Sequence, residues 1–108
     1  MMGQFRGGMN ELMRQAARLQ RRVEDKKKEL ADQEIVATAL GDKVKATVTY
    51  AQKLARIEID PEFLKAEGIE IALDGVILAV NAGMEQADKA MEAEVEKITG
   101  GVKIPGLT

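Results

Sequence analysis

Basic side chains recur along one side of a predicted helix near the start of the chain. Arginine carries a planar fork of hydrogen-bond donors that matches the oxygens of a phosphate group, and lysine adds a compact positive charge. On a helix with ~3.6 residues per turn these side chains lie opposite the apolar side and extend for ~21 Å along the axis. That length would follow several phosphates of a duplex, in which one charge occurs every ~1.7 Å. We call this set the basic stripe: Arg14, Arg18, Arg21, Arg22 and Lys28, with Lys26 at its margin.

The residue pattern leaves two other interpretations of the basic stripe open. Any exposed helix needs a charged outer face, and Glu24 can pair with Lys28 at the i,i+4 spacing. The stripe could instead pair with a second long helix, because residues 69–99 hold seven acidic and two basic side chains, a net charge of -5. The stripe therefore indicates polyanion binding, a solvated face or pairing within the chain.

Charge is unevenly distributed along the 108 residues. Residues 1–28 hold eight basic and three acidic side chains, a net charge of +5. Because the whole chain has a formal net charge of -2, the remaining residues carry -7. Such asymmetry between segments indicates an interaction surface that the overall charge conceals.

Catalytic and metal-binding patterns are weak by comparison. The chain has no Cys and no His, which excludes thiol nucleophiles and Cys/His zinc sites. Two acidic pairs, Glu92/Glu96 and Glu58/Asp60, have no histidine or converging partner that would form a metal or acid–base site. The segment GQFRGG lacks the strand and the Gly-Lys-Ser/Thr sequence of a phosphate-binding loop. We therefore expect no enzyme, no cofactor and no small-molecule substrate.

Membranes and single-stranded nucleic acids are disfavoured as partners. The longest apolar stretch, IALDGVILAVNAGM, contains Asp74 and Asn81 and is too short to span a bilayer. Residues 1–30 are charged and helical in pattern, unlike a signal peptide. Aromatic residues make up 3% of the chain, too few for a platform on which bases stack. We expect a soluble cytoplasmic protein with no membrane partner.

The first predicted helix follows a Gly-rich segment, residues 1–8, that we expect to be flexible. From Met9 to Leu30, apolar residues recur at intervals of three and four, the pattern of an amphipathic helix. A helix of about 25 residues is ~37 Å long, so part of it should project from so small a domain. The apolar series is Met9, Leu12, Ala16, Leu19, Val23 and Leu30, interrupted by Lys26.

The hydrophobic period then changes to two, which predicts three strands. The first, EIVATALG, ends near Gly41, and the second and third are VKATVTY and LARIEID. Short turns between them predict an antiparallel meander with one solvent-exposed face. The predicted inner face consists of Val44, Ala46, Val48 and Tyr50 on the second strand and of Ala55, Ile57 and Ile59 on the third.

Two further helices complete the predicted domain. Asp60 can cap a short helix that Gly68 ends, since an aspartate side chain accepts hydrogen bonds from the first free N–H groups. A second long helix is predicted over residues 69–98, ended by Thr99-Gly100-Gly101, in which a glycine supplies a left-handed cap. Residues 102–108 are expected to form an extended tail.

The second long helix is expected to contribute most of the core. Its first half is apolar almost all round, which predicts burial on more than one side. Its predicted apolar stripe comprises Leu73, Ile77, Val80, Met84, Ala87, Met91, Val95 and Ile98. We expect the methionines of this stripe, together with Met9 and Met13 of the first helix, to lie in the core.

The predicted fold is α+β: a long helix, a three-stranded antiparallel meander, a short helix and a long helix in one domain over residues 1–108. Two amphipathic helices and a three-stranded sheet leave more apolar surface than one small subunit covers. A symmetric homodimer would bury the remainder.

Three stretches of the chain together resemble the YbaB/EbfC family of bacterial nucleoid-associated DNA-binding proteins. They are MNELMRQAARLQRRVEDKKKELAD, VKATVTYAQKLARIEIDPEFL and LDGVILAVNAGMEQADKAMEAEVEKITGGVKIPG. The resemblance implies a homodimer with a tweezer-like outline, in which the first and last helices project in pairs. It also implies binding of double-stranded DNA with little sequence preference, and a role in nucleoid organisation and gene regulation.

The resemblance places DNA contacts on the projecting helices. On the last helix only Lys89 and Lys97 match, and that helix is otherwise acidic. The family often has Asn-Gly in the turn after the second strand, where this chain has Thr49-Tyr50, so we expect a looser or shifted turn. By position, the residues carried over on the first helix are Arg14, Arg18, Arg21, Arg22 and Lys26.

A second function fits the same architecture. Paired helices projecting from a small β body could serve as a protein-interaction module or a holdase-like scaffold. Exposed apolar residues near the helix tips would favour this alternative over DNA binding.

Overall fold

The computed structural model describes the backbone of residues 2–101 and the side chains of residues 8–101. It confirms the predicted α+β class and the predicted order of elements. The predicted tail, residues 102–108, lies outside the described residues. The elements are α1 (Met2–Leu30), β1 (Glu34–Ala39), β2 (Val44–Thr49), β3 (Leu54–Ile59), α2 (Pro61–Glu67) and α3 (Ile69–Thr99).

Helix α1 begins at Met2, whereas the apolar periodicity places its start at Met9. The early glycines lower the helical signal, since each is worse than alanine in a helix by about 1 kcal/mol. The apolar spacing nevertheless continues backwards, because Phe5 and Met2 precede Met9 at intervals of four and three. The backbone of residues 2–8 is therefore helical.

The three strands form one antiparallel sheet in the order β1-β2-β3. Strand β1 ends at Ala39, two residues before its predicted end near Gly41. The reason is the turn that follows, in which Leu40, Gly41 and Asp42 all have positive φ. An extended strand cannot continue through left-handed residues.

The pairing of β2 with β3 shifts by one residue near the end of β2. Thr47 lies opposite Arg56, but Val48 lies opposite Leu54, so Ala55 is an extra residue in β3. The predicted inner position of Ala55 is wrong, because this bulge leaves its side chain exposed. Tyr50 likewise lies in the following turn and not in β2.

The inner face of the sheet packs against a face of α3 whose buried residues are all small, with the half-buried Val76 and Val80 at its side. Val44, Ala46 and Val48 of β2 are fully buried beneath it. A Cβ atom at Gly75 would lie 2.7 Å from Leu40 Cδ1, and one at Gly83 would lie 3.2 Å from Val48 Cγ2. The helix backbone thus approaches the sheet more closely than a larger side chain would permit. The buried residues of this small-residue face are Ala72, Gly75, Ala79, Gly83 and Ala87.

The large apolar residues of α3 do not form the face that meets the sheet. Leu73 is 51% exposed and Ile77 is 58% exposed. The predicted burial of the first half of α3 on more than one side is therefore wrong for the single subunit. Met84 and Met91 are half-buried, but the predicted core positions of Met9 and Met13 are wrong, because both are exposed.

Asp60 fixes the start of α2 as predicted. Its Oδ1 accepts hydrogen bonds from the backbone N–H of Glu62 at 2.8 Å and of Phe63 at 3.2 Å. Lys43 Nζ lies 3.6 Å from Asp60 Oδ2. The hydrogen bond from Phe63 contributes most to lowering the pKa of Asp60, with smaller contributions from Glu62 and Lys43 and an opposing effect of desolvation.

Enlarging the small-residue face should separate α3 from the sheet. We expect Gly83→Leu to lower the free energy of unfolding by about 1–3 kcal/mol, because the side chain would meet the buried Val48. Urea unfolding followed by circular dichroism measures the change. Ala93→Leu, at an exposed position of the same helix, is the control. Equal unfolding midpoints for both variants would contradict the packing described.

Acid should weaken the cap of α2. Because the folded state lowers the pKa of Asp60, its stabilising effect is present at neutral pH and is lost as the pH falls through that lowered pKa. Asp60→Asn keeps a capping oxygen that does not titrate. We expect the melting temperature of this variant to fall less with acid than that of the wild type. Asp32→Asn, an exposed turn residue, is the control and should follow the wild-type profile.

Candidate nucleic-acid interface

Only the last part of α1 is anchored to the body of the protein. Val23 and Leu30 are buried and Leu19 is half-buried, whereas residues 8–18 are exposed. The chain just after α1 is held to the β2–β3 turn, since Tyr50 N–H donates to the carbonyl of residue 33 at 2.8 Å. The first half of α1 therefore extends beyond the packed region.

Helices α1 and α3 run antiparallel and leave the sheet at the same end. Along α3, Gly75 lies over Leu40 at one end of the sheet, and Gly83 lies over Val48 towards the other. Gln52, in the turn to which α1 is anchored, donates from Nε2 to the Met84 carbonyl at 3.4 Å. The two helices then continue side by side, giving an elongated subunit of 77 × 19 × 16 Å.

The basic stripe lies on the outward side of α1, as predicted. Its five main members are exposed, and the marginal Lys26 is half-buried. Lys26 Nζ lies 3.7 Å from Glu29 Oε2, and Arg14 Nη1 lies 3.8 Å from Glu11 Oε2. Both pairs are solvent-exposed contacts within one helix, which contribute little to stability and leave the cations accessible.

The stripe is not neutralised by the acidic helix beside it. Within residues 8–101, no salt bridge links α1 to α3, and none involves Arg18, Arg21 or Arg22. Of the three interpretations, pairing within the subunit is therefore disfavoured. The guanidinium groups stand at the surface, where they can meet a polyanion.

Both basic residues of α3 form salt bridges with glutamates of the same helix. Lys89 Nζ lies 3.1 Å from Glu85 Oε1, and Lys97 Nζ lies 3.1 Å from Glu94 Oε1. Exposed carboxylates such as Glu92 and Glu96 flank them. Helix α1 is thus the source of positive potential along the projecting pair, and α3 opposes it.

The acidic pairs noted in the sequence do not form a metal site. Among the residues that the structure describes, no three Asp or Glu side chains converge on a point where an ion would bind. Glu58 and Asp60 lie in an open groove that also contains Lys43 and Lys45. The two lysines place positive charge beside both carboxylates, and Lys43 contacts Asp60 directly.

An exposed apolar patch lies on α3, and the sequence interpretation predicted surplus apolar surface without locating it there. Ile71, Leu73, Ile77 and Leu78 are between 42% and 58% exposed, on two sides of the helix. In the sequence, the first half of α3 is apolar almost all round. That pattern does not reveal whether the apolar side chains are covered by a partner or by the same subunit. Within residues 2–101, no helix is both long and apolar enough to cross a membrane.

Comparison with known proteins agrees with the geometry. A nucleoid-associated protein of Clostridium acetobutylicum is 37% identical over 101 residues, covering 94% of this chain and 90% of the relative. One of Thermoanaerobacter pseudethanolicus is 36% identical over 107 residues, covering 97% and 96%. The crystal structure of an uncharacterized Helicobacter pylori protein shares the fold, with a TM-score of 0.69 and 14% identity over 84% of this chain and 96% of that one.

The sequence model of the YbaB/EbfC DNA-binding family matches residues 5–102, nearly the whole chain. This match includes all of the basic stripe and all three strands. It confirms the resemblance inferred from the three sequence stretches. The chain belongs to the YbaB/EbfC DNA-binding family.

Proposed function

We propose that this protein binds the backbone of double-stranded DNA through the basic stripe, with little sequence preference. The supporting observation is the row of exposed arginines on the outward side of α1, three of which have no salt bridge to a described carboxylate. Arg14, Arg18, Arg21, Arg22, Lys26 and Lys28 are the proposed contact residues.

The physical basis is the release of counterions from phosphates. Each Lys or Arg that neutralises a phosphate releases condensed cations, so affinity falls steeply as salt concentration rises. Contacts to phosphate oxygens position a protein on the duplex but carry no sequence information. The acidic surface of α3 would repel the same backbone, which keeps the affinity of one subunit modest.

A homodimer would present two basic stripes to one duplex. The apolar patch on α3 is the surface that we propose the two copies share, because Leu73 and Ile77 are exposed large aliphatic residues beside the core. Burial of such residues contributes about 1.5–3 kcal/mol each when the coverage is complete. The chain would act as one domain over residues 1–108, with the paired α1 and α3 helices projecting like the arms of tweezers.

The proposed setting is the bacterial nucleoid in the cytoplasm. Relatives of this chain are named nucleoid-associated proteins. A dimer that grips DNA with two arms could compact the chromosome and alter the transcription of genes near its binding sites. Such a role is architectural and requires no catalysis, cofactor or small-molecule substrate.

A holdase-like or scaffold function is the second candidate, and one observation favours it. Met9, Leu12 and Met13 are at least 60% exposed near the projecting end of α1. Exposed apolar side chains at such a position can bind unfolded protein. Suppression of the aggregation of an unfolded test protein, without any DNA binding, would support this candidate over the first.

Removing three central arginines should weaken DNA binding. We expect Arg18, Arg21 and Arg22 changed together to Ala to lower affinity for duplex DNA about tenfold or more at low salt. The slope of log K against log salt should fall by roughly 0.9 for each phosphate that the variant no longer neutralises. Gel shifts across a salt series with duplexes of unrelated sequence measure both quantities.

A charge-matched variant controls for net charge. Lys45, Lys53 and Arg56 changed together to Ala remove three exposed positive charges from the sheet and its turn. This control should retain most of the affinity, and both variants should keep the wild-type melting temperature, because exposed side chains contribute little to stability. Unchanged affinity of the α1 variant would rule out this interface.

A charge placed in the apolar patch should dissociate the dimer. We expect Ile77→Arg to shift the protein from dimer to monomer in sedimentation equilibrium, because the interface would bury an unpaired cation. Ala93→Arg, at an exposed position more than four turns further along the same helix, is the control and should remain a dimer. A wild-type protein that sediments as a monomer would contradict the proposed interface.

A further inference from the structure

A row of carboxylates runs along the outward side of the second half of α3. Asp88, Glu92 and Glu96 are exposed and follow one another at the i,i+4 spacing, so neighbouring members lie ~6 Å apart along the helix axis. This set, the acidic row, lies on the side of α3 opposite the buried Gly83 and Ala87. Within residues 8–101, none of its three members takes part in a salt bridge.

A row of cations with the same spacing lies on α1. Arg14, Arg18 and Arg22 of the basic stripe are exposed and also recur every four residues. Arg14 has a solvent-exposed contact with Glu11, and no described carboxylate forms a salt bridge with the other two. Each row is ~12 Å long, so three anions on one helix match three cations on the other in spacing and in length.

The repulsion within each row is not relieved inside the subunit. Like charges at the i,i+4 spacing destabilise a helix, and among the described residues no salt bridge joins α1 to α3. Contact between the two rows would remove both repulsions at once. We propose that the acidic row of one molecule pairs with Arg14, Arg18 and Arg22 of a second copy. The complementary charge and the equal spacing of the rows support this partner.

The contact is heterologous, because it joins two different surfaces. A molecule whose basic row is held by one neighbour still presents its acidic row to another, so assembly continues beyond a pair. Exposed ion pairs are weak and screened by salt, so the assembly forms at low salt and high protein concentration. In this respect it differs from a contact through the apolar patch on α3, which salt does not weaken.

The contact does not require DNA binding, but under the proposed function DNA would compete with it. A duplex carries one charge every ~1.7 Å of its axis, whereas the acidic row carries one every ~6 Å. The denser polyanion would displace the acidic row from the arginines. The experiments below contain no DNA, so they test the contact whether or not the proposed function holds.

Neutralising the acidic row tests the contact. The wild type should sediment with a mass about twofold larger or more at about 20 mM salt than at about 500 mM salt, where screening is strong. Asp88→Asn with Glu92→Gln and Glu96→Gln should abolish this difference. The control makes the same change at three exposed carboxylates elsewhere: Asp32→Asn, Glu34→Gln and Glu67→Gln.

The control should behave as the wild type, because it loses the same number of charges but keeps the acidic row. A wild-type mass that does not change with salt would overturn the proposal. So would a salt effect that the acidic-row variant retains, or an equal loss of the effect in both variants. Circular dichroism checks that both variants keep the fold.

Cross-linking identifies the two surfaces that meet. Arg18→Lys keeps the positive charge and supplies an amine, which a carbodiimide joins directly to a contacting carboxylate. In an equal mixture of unlabelled and isotope-labelled protein at low salt, position 18 should be joined to the acidic row in peptides that combine both isotopes. Arg56→Lys, at an exposed position on the sheet, is the control and should give about fivefold less of this product. Equal yields from both variants, or no product that combines the isotopes, would overturn the proposal.

Discussion

The close approach of α3 to the sheet is the constraint on which the rest of the structure depends. Alanine and glycine face the sheet at every buried position of α3, so the helix lies almost directly on the valines of β2. This arrangement gives a small subunit a dry core from few atoms. It also turns the large aliphatic side chains of α3 outwards, because they cannot occupy the narrow space. The core of one subunit and the proposed surface for a second copy are thus two results of the same packing.

Features set by local chemistry were predictable from the sequence. The cap at Asp60, the stop at Gly100 and the outward side of α1 each depend on a few neighbouring residues, and the structure has all three. The side of α3 that meets the sheet was not predictable by the same reasoning. Apolar periodicity gives most weight to large residues such as Leu73, whereas the packing selected small ones such as Gly83. Size complementarity between α3 and the sheet is a tertiary property.

In the candidate site, too, the features set by neighbouring residues were predictable from the sequence, and those set by tertiary packing were not. The sequence placed the arginines on one helical face, but only the arrangement of α1 beside α3 shows that no described carboxylate of α3 pairs with them. Exposure of Met9 and Met13 likewise depends on where α3 ends, which periodicity along α1 cannot indicate. The bulge at Ala55 arises from pairing between two strands, so the sequence of either strand alone does not reveal it.

The anchoring of α1 through Leu19, Val23 and Leu30 fixes the direction in which its first half leaves the packed region. Because an α-helix rises ~1.5 Å per residue, the ten residues from Met9 to Leu19 carry the exposed end ~15 Å past the last packed side chain. Under the proposed function, bending of this unpacked stretch would let the arm follow duplexes of different groove width, with no rearrangement of the sheet.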